Sequence, residues 1–205
     1  MAIDSKINSF IKLLFYRCRK KVVSVFYWFL PNISPIFTHR IRLVANAPHC
    51  NQLTKVTGSG KIEIGSGCTL GYKLGGFHRG GMIELQPRYE NSFIRLGNNI
   101  ATNNNIFICA ANYIEIGNDT LIGQYVTIMD HEAHGLHPDH RREPGEIGKV
   151  IIGENVWIGN NVMILKNSEI GRNSIVAAGA IVSGSFPANV IIGGIPAKII
   201  KEIDV

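Results

Sequence analysis

Aliphatic residues recur every six positions along the C-terminal part of the chain. The clearest run is VIIGENVWIGNNVMILKNSEIGRNSIVAAGAIVSGS, where the repeated positions are Ile152, Ile158, Ile164, Ile170, Val176 and Val182. A glycine follows directly after three of them. Because six is not a multiple of 3.6, these side chains would not form a stripe on an α-helix.

The six-residue period instead predicts a coil of short strands. The same spacing recurs at Ile116, Ile122 and Ile128, and more faintly at Ile64 and Leu70. A strand of three or four residues followed by a turn places one aliphatic side chain per repeat at the same height inside the coil. Gly, Asn, Asp and Ser suit the corners, because sharp turns favour backbone angles that bulky side chains resist. We therefore predict a parallel β-helix within residues 51–205.

Two segments interrupt the repeat. Residues 72–92, YKLGGFHRGGMIELQPRYENS, are rich in glycine and are expected to form either a β-hairpin lying against the coil or an irregular loop. Residues 130–149, DHEAHGLHPDHRREPGEIGK, begin where Ile128 should be followed by another repeat, which predicts a loop extending from a rigid stack. Interruptions of a solenoid often carry function.

The first 50 residues have a different pattern and are predicted to form a basic, apolar helical segment. In FIKLLFYRCRKKVVSVFYWFLP, five cations are followed by a mainly apolar run that ends at Pro31. That run is shorter than the roughly twenty residues a membrane-spanning helix needs, and no A-x-A-like cleavage site of a signal peptide follows it. Two interpretations remain for residues 1–30. The helix packs on the protein's own core or a partner subunit, or it lies at a membrane surface with its cations on anionic lipid.

Composition and charge narrow the class of protein. With 205 residues, 45% of them hydrophobic, the chain is expected to be a soluble protein of one or two domains. The net charge of +6 comes from residues 1–50, which hold eight Lys/Arg against one Asp, whereas the remainder holds thirteen against fourteen acids. This distribution argues against a nucleic-acid partner. The four cysteines, Cys18, Cys50, Cys68 and Cys109, form no CxxC pair, which is typical of reduced thiols in the cytoplasm.

By residue type, the stretch from about residue 60 to residue 203 resembles the hexapeptide-repeat acyltransferases. Within that family it is most similar to the galactoside and maltose acetyltransferases and the polysaccharide O-acetyltransferases. The resemblance implies an all-β fold, a left-handed parallel β-helix of triangular cross-section with three repeats per turn, here with an N-terminal helical segment. It also implies a homotrimer with each active site between neighbouring coils, and acetyl-coenzyme A as acyl donor.

Four of the seven histidines lie within residues 131–140, at His131, His134, His137 and His140. They allow a metal site, a solvated loop or a catalytic base. Gly135 and Pro138 oppose a continuous helix that would align them. A zinc site of the kind found in the γ-class carbonic anhydrases takes a further histidine from an upstream strand, and residues 79–130 contain none. We therefore expect no metal, and favour a general base.

The resemblance assigns roles to individual residues. His131 follows YVTIMD at the position of the family's catalytic histidine, with His134 as the second choice and a possible contact of the acceptor. In ATNNNIFI, Asn103 matches the asparagine that stabilises the transition state, with Asn105 behind it at the acceptor. We expect Asp130 to point to the opposite side of its strand from His131. The group that orients the imidazole is left open among Glu132, Asp139 and a backbone carbonyl.

The coenzyme-binding positions also come from the resemblance. They are predicted at the backbone amide of Asn160, at the indole of Trp157, at two small residues beside the coenzyme arm and at two cations that meet its phosphates: Ala178, Ser183, Lys198 and Lys201. Two positions depart from the galactoside acetyltransferases. Gly184 stands where they have a lysine, and Ala111 where they have the aspartate that holds the sugar. The acceptor is therefore expected to differ from a small galactoside.

The resemblance and these positions together predict transfer of acetyl from acetyl-coenzyme A to a hydroxyl of a sugar in a surface polysaccharide such as capsule, O-antigen or exopolysaccharide. Direct attack is expected, because no nucleophilic Cys or Ser motif is present. The alternatives are N-acetylation of a nucleotide-linked amino sugar and a non-catalytic trimeric scaffold. The expected location is the cytoplasm, or the inner membrane surface if residues 1–30 bind lipid.

Overall fold

Short strands of two to six residues alternate with turns along almost the whole chain and wind around one hydrophobic core. The structure, a computed structural model, describes residues 23, 25–77 and 80–204. Each coil contributes one strand to each of three sheets, and every pairing within the sheets is parallel except the last. The core therefore lies inside a prism with three faces.

The three faces are called sheets A, B and C. Sheet A contains β1 (Ile41–Leu43), β4 (Lys61–Ile64), β7 (Phe93–Leu96), β10 (Tyr113–Ile116), β13 (Lys149–Ile152), β16 (Ser168–Ile170) and β19 (Ser185–Phe186). Sheet B contains β2 (His49–Cys50), β5 (Thr69–Leu70), β8 (Ala101–Thr102), β11 (Leu121–Ile122), β14 (Trp157–Ile158), β17 (Ile175–Val176), β20 (Val190–Gly194) and β21 (Ala197–Glu202). Sheet C contains β3 (Thr54–Val56), β6 (Ile83–Pro87), β9 (Phe107–Ala110), β12 (Thr127–Met129), β15 (Met163–Ile164) and β18 (Ile181–Val182).

The six-residue positions form the core, as predicted. All six aliphatic residues of the clearest run are at most 1% exposed: Ile152, Ile158, Ile164, Ile170, Val176 and Val182. Burying a side chain of this size stabilises the fold by roughly 1.5–3 kcal/mol relative to leaving it exposed. The repeated aliphatic positions in the sequence therefore form one continuous column of side chains in the core.

Asparagine occupies many corners because the chain turns there with a positive φ. Asn155, Asn173 and Asn189 have φ of 53°, 59° and 60°, a region that asparagine tolerates better than most residues. Their side-chain amides stack along the prism, with Nδ2 of Asn155 donating to Oδ1 of Asn173 at 3.1 Å and Asn173 to Asn189 at 2.9 Å. The ladder holds successive coils in register.

The N-terminal end of the prism is covered by a short helical segment. A π-helical turn (Val25–Phe29), a 3-10 turn (Leu30–Asn32) and helix α1 (Ile33–Phe37) follow one another. Trp28 is buried in the core, and the Asn32 amide donates to the carbonyls of Trp28 and Thr54 at 2.7 and 2.8 Å. The described part of this segment therefore packs on its own chain; residues 1–22, with most of the predicted basic stretch, lie outside the described residues. No helix of the described part is long and apolar enough to cross a membrane.

Two predicted boundaries are wrong. The β-helix begins at Ile41 instead of residue 51, because β1 pairs in parallel with β4 and β2 with β5 although their sequence lacks the glycines of the repeat. The first interruption is an irregular loop over residues 71–82 instead of 72–92. It ends at β6, where Ile83 and Leu85 point into the core and the intervening Glu84 points outward, the alternation of a regular strand. The second interruption, residues 130–148, lies where it was predicted.

Candidate active site

Two edges of the prism hold almost all of the predicted site residues. The amide edge consists of the turns that connect sheet B to sheet C, and it contains Asn103, Asn160 and Ala178. The histidine edge consists of the turns that connect sheet C to sheet A, and it contains His131 and Ser183. Within one chain the two edges are different corners of the triangle, so the structure does not bring Asn103 and His131 together.

His131 is fixed at the start of the long loop. It follows β12, its backbone forms a bridge with Ile147, and its side chain is only 2% exposed. The ring Nδ1 lies 2.9 Å from Oδ1 of Asp130. The buried carboxylate is therefore the group that orients the imidazole.

Asp130 in turn is held by the backbone of the preceding coil. Its Oδ1 accepts from the N–H of Ala111 at 2.7 Å, and its Oδ2 accepts from the N–H groups of Asn112 and Tyr113, both at 2.8 Å. The expectation that Asp130 would point away from His131 is wrong, because residue 130 lies in the turn after β12 and no longer follows strand alternation. Glu132 pairs with Lys166 at 3.2 Å, and neither Glu132 nor Asp139 contacts the His131 ring.

Arg88 contacts the other nitrogen of the ring. Its Nη1 lies 2.9 Å from Nε2 of His131. A guanidinium has only donors, so Nε2 accepts, and the ring hydrogen is on Nδ1 and points to Asp130. This tautomer leaves Nε2 as the basic nitrogen, which is the arrangement that a general base needs.

The loop itself is an ordered ladder that holds the other histidines away from Asp130. The N–H of Glu132 donates to the backbone carbonyl of Glu146 at 2.9 Å, and the N–H of Gly135 donates to the backbone carbonyl of Glu143 at 2.8 Å. The hydrogen bond to Lys166 lowers the pKa of Glu146. His134 is exposed, and its Nδ1 lies 2.8 Å from the carbonyl of Arg141, so it lacks the carboxylate partner of His131. The described residues contain no group of three or more metal-ligating side chains.

On the amide edge, Asn103, Trp157 and Asn160 line one cavity of 460 Å³. Oδ1 of Asn103 accepts from the N–H of Asn104 at 2.8 Å, which fixes the orientation of the amide. Its Nδ2 has no hydrogen-bond partner in the described part of the chain. Trp157 is 55% exposed on the outer face of sheet B. The cavity thus presents an oriented amide donor beside an open aromatic face.

The neighbouring asparagines have structural contacts. Asn104 is fully buried, and its amide donates to the carbonyls of Tyr72 and Gly76 at 2.9 and 3.0 Å, which ties the loop of residues 71–82 to the edge. Oδ1 of Asn105 accepts from Gln52 at 3.1 Å. The predicted contact between Asn105 and the acceptor stays a prediction, and the Oδ1 atom of this side chain already accepts from Gln52.

The predicted coenzyme positions lie along the amide edge and continue to the end of sheet B. The backbone N–H groups of Asn160 and Ala178 donate no hydrogen bond within the described residues. Gly159, which precedes Asn160, must be a glycine, because a Cβ there would lie 2.6 Å from the backbone nitrogen of Ala178 in the next coil. Lys198 and Lys201 are exposed on β21, where Lys201 pairs with Ile191. From β8 to β21 there are five strand steps, about 24 Å in length.

Ser183 does not join this groove within one chain. It is exposed in the turn after β18, on the histidine edge with His131. Gly184 beside it has φ of 103°, so a side chain at that position would be strained in this backbone conformation. Ala111, the other departure, donates its N–H to Oδ1 of Asp130.

The described cysteines are poor nucleophiles. Burial raises the pKa of the Cys50 thiol to about 12 and that of the Cys109 thiol, the one nearest His131, to about 11. Burial also raises the pKa of Cys68. Because the thiolate is the reactive form, none of these residues is suited to form an acyl-enzyme.

Sequence reasoning missed Arg88 and misjudged Asp130. Arg88 lies in the segment expected to be an irregular interruption, so its place on a regular coil could not be read from the repeat. A usable signal for Asp130 was its position directly after the last apolar residue of β12, where a turn residue caps backbone N–H groups.

Comparison with known proteins agrees with this fold. The sequence profile "Bacterial transferase hexapeptide (six repeats)" matches residues 149–184. WbbJ of Escherichia coli (strain K12), provisionally named as a lipopolysaccharide biosynthesis O-acetyl transferase, is 35% identical over 159 residues, which cover 72% of this chain and 74% of WbbJ. Galactoside O-acetyltransferase of the same organism is 37% identical over 115 residues, 55% of this chain and 56% of that protein.

Solved structures support the same architecture. A galactoside acetyltransferase in complex with coenzyme A superposes with a TM-score of 0.53 at 23% identity, covering 94% of this chain and 82% of that one. A mutant of AntD, an N-acyltransferase from Bacillus cereus in complex with dTDP and coenzyme A, superposes with a TM-score of 0.63 at 16% identity, covering 82% and 88%. The predicted left-handed parallel β-helix is confirmed, and the chain belongs to the hexapeptide-repeat acyltransferase family.

Proposed function

We propose that this protein transfers acetyl from acetyl-coenzyme A to a hydroxyl of a sugar in a surface polysaccharide. The observation that carries the proposal is the pair Asp130–His131, a buried carboxylate 2.9 Å from Nδ1 that leaves Nε2 as the base. The names of the relatives, O-acetyltransferases of lipopolysaccharide biosynthesis and of galactosides, support the sugar acceptor.

In the reaction, Nε2 of His131 takes the proton of the acceptor hydroxyl as its oxygen attacks the thioester carbonyl carbon. A C–O bond forms, and the carbonyl oxygen becomes an oxyanion. Collapse of this intermediate breaks the C–S bond, and the coenzyme thiolate takes the proton back from the imidazolium. Asp130 supports each step by holding Nδ1–H, so that the ring keeps one orientation while its charge changes.

Asn103 is the proposed oxyanion donor. Its Oδ1 is held by the N–H of Asn104, so the direction of the unpaired Nδ2 is fixed, and Asn103 lines the cavity. A neutral amide donates to the developing charge without competing for the hydroxyl proton. Trp157 and the free N–H groups of Asn160 and Ala178 would line the coenzyme arm, with Lys198 and Lys201 near its phosphates.

The site requires two chains, because His131 and Asn103 lie on different edges. We propose a homotrimer in which the histidine edge of one subunit faces the amide edge of the next. The outer faces support this packing. Sheet A carries an ion-paired row in which Arg95 contacts Glu63 at 3.5 Å and Glu115 at 3.4 Å. Sheets B and C instead expose Leu121, Trp157 and Met163 at 51%, 55% and 40%, as expected of faces that another copy covers.

The N-terminal segment is the proposed point of membrane contact. Phe26, Ile33 and Phe37 are 59%, 45% and 71% exposed at the end of the prism, and the sequence before them is basic. We expect the protein to be cytoplasmic and to co-sediment with anionic vesicles, with release at high salt. Vesicle binding unchanged after removal of residues 1–30 would contradict this location.

Mass spectrometry tests the proposed reaction. Purified protein, acetyl-coenzyme A and deacetylated surface polysaccharide of the producing cell should give a 42 Da increase per modified sugar, about the mass of an acetyl group less one hydrogen. Acetyl-coenzyme A alone should raise the Tm. Absence of both effects would favour a non-catalytic trimeric scaffold, and acetyl found on an amine would favour N-acetylation.

A further inference from the structure

Arg88 is a cation without a carboxylate partner beside the proposed base. Its Nη1 contacts Nε2 of His131 at 2.9 Å, and its Nε donates to Oε1 of Gln86 at 3.1 Å. It forms no salt bridge with any carboxylate of the described residues. Asp130 is already occupied by three backbone N–H groups and the imidazole. The half-buried guanidinium therefore keeps donors for which the described residues supply no anion.

The coil geometry directs this cation to His131. Strand register pairs Pro87 with Ala110 and Cys109 with Met129. Continuing the first register by one residue aligns Arg88 with Ala111, and continuing the second by two aligns Ala111 with His131, so the three residues lie in one column along the histidine edge. The methyl side chain of Ala111 leaves room for the arginine to pass over the intervening coil. The contact with Nε2 is thus built into the stack and does not depend on the long loop alone.

The same contact opposes catalysis in the empty site. Nε2 must accept the hydroxyl proton of the acceptor, but its lone pair is already directed at a guanidinium N–H. A neutral acceptor offers nothing to draw this cation away. A carboxylate or phosphate does, because charge-assisted, two-point pairing with guanidinium is stronger than a single hydrogen bond to imidazole.

We infer that Arg88 binds the acceptor, and that the acceptor carries an anionic group, a carboxylate or a phosphate, close to the hydroxyl that is acetylated. This inference rests on the proposed function and names its substrate class. When the anion binds, the guanidinium turns from Nε2 to the anion, and the base becomes available only with the correct acceptor in place. Arg88 then selects acidic sugars over neutral ones.

Matched acceptors test the inference. The probes are methyl glycosides of glucose and galactose, the corresponding methyl glycuronides, and the 1-phosphates of the same sugars. The variants are Arg88→Gln and Arg88→Lys. Two measurements are made, namely kcat and KM for acetyl transfer, and binding of each probe to protein loaded with coenzyme A, which cannot turn over. The glycuronide and phosphate arms distinguish the two sources of negative charge.

For the wild type we expect one anionic class to be preferred over its neutral counterpart by about ten- to a hundredfold in kcat/KM, the range of a hydrogen bond to a charged group. Arg88→Gln should remove this preference by raising KM for the anionic probes, and Arg88→Lys should restore part of it. Affinities measured on the coenzyme A complex, where no transfer occurs, should rank the probes in the same order as kcat/KM.

Other outcomes overturn the inference. If the wild type binds neutral and anionic probes equally, or if Arg88→Gln lowers kcat for both classes by the same factor, then Arg88 only positions His131. Transfer to neutral sugars would in that case leave the proposed function intact. Failure to bind coenzyme A would instead contradict the proposed function itself.

Discussion

The amide edge and the histidine edge come from the same repeat but are built differently. Along the amide edge, Asn103, Asn160 and Ala178 lie in equivalent turns after β8, β14 and β17, and their free donors come from backbone and amide groups. On the histidine edge, the repeat is broken at Asp130, and the chemistry depends on side chains that meet across three coils. A regular edge suits the binding of a long cofactor. An irregular edge suits the placing of a catalytic base such as His131, which needs partners that no other coil has.

Because of this difference, we expect substitutions on the two edges to change different kinetic quantities. Substitutions on the histidine edge should affect the chemical step, because its ionisable groups handle the proton. Substitutions along the amide edge beyond Asn103 should affect coenzyme affinity, because those positions are the ones proposed to line the coenzyme. The following variants test that division, from the largest expected effect to the smallest.

His131→Ala should have the largest effect. Loss of a general base lowers kcat by roughly 10²–10⁴-fold, while the affinity for coenzyme A should remain, because the proposed coenzyme positions nearest the thioester are on the amide edge. Steady-state kinetics and calorimetric titration of coenzyme A measure the two quantities. The matched control is His134→Ala, whose ring has no carboxylate partner. An inactive His134→Ala variant together with an active His131→Ala variant would show that His134, and not His131, is the base.

Asp130→Asn should have an intermediate effect on activity and a separate effect on stability. The amide retains one acceptor oxygen, so either Nδ1 of His131 or the N–H groups of Asn112 and Tyr113 lose their partner. Each unsatisfied group costs about 1–3 kcal/mol. We expect a lower kcat and a lower Tm in thermal unfolding. An unchanged kcat would show that the carboxylate does not orient the base.

Replacing Lys198 and Lys201 together by alanine should have the smallest effect. Both are exposed, and pairs between exposed charges contribute little, so coenzyme A affinity should fall by about two- to fivefold per lysine. The loss should diminish in high salt and should be greater for coenzyme A than for dephospho-coenzyme A. Equal losses for both ligands would remove the lysines from the phosphate site.

The sequence was most informative where the structure is periodic. Ile152 and Val182 could be placed in the core by counting, and Asn160 on an edge, because each repeat imposes one position on the next. The start of the β-helix at Ile41 could not be found this way, since β1 and β2 lack the glycine signature. Asp130 and Arg88 were missed because their side chains bond to residues 17 to 43 positions away, and no repeat encodes such contacts.

Mixed trimers test most directly the central claim that one site uses both edges from neighbouring subunits. His131→Ala and Asn103→Ala, each inactive alone, are co-expressed with different tags, and trimers containing both are purified. If the site lies between subunits, one of the three interfaces in each mixed trimer joins an intact His131 to an intact Asn103, and activity should return to about a third of the wild-type value. If each chain carried a complete site, every site in the mixture would lack one residue. Mixed trimers as inactive as the parent variants would therefore contradict the claim.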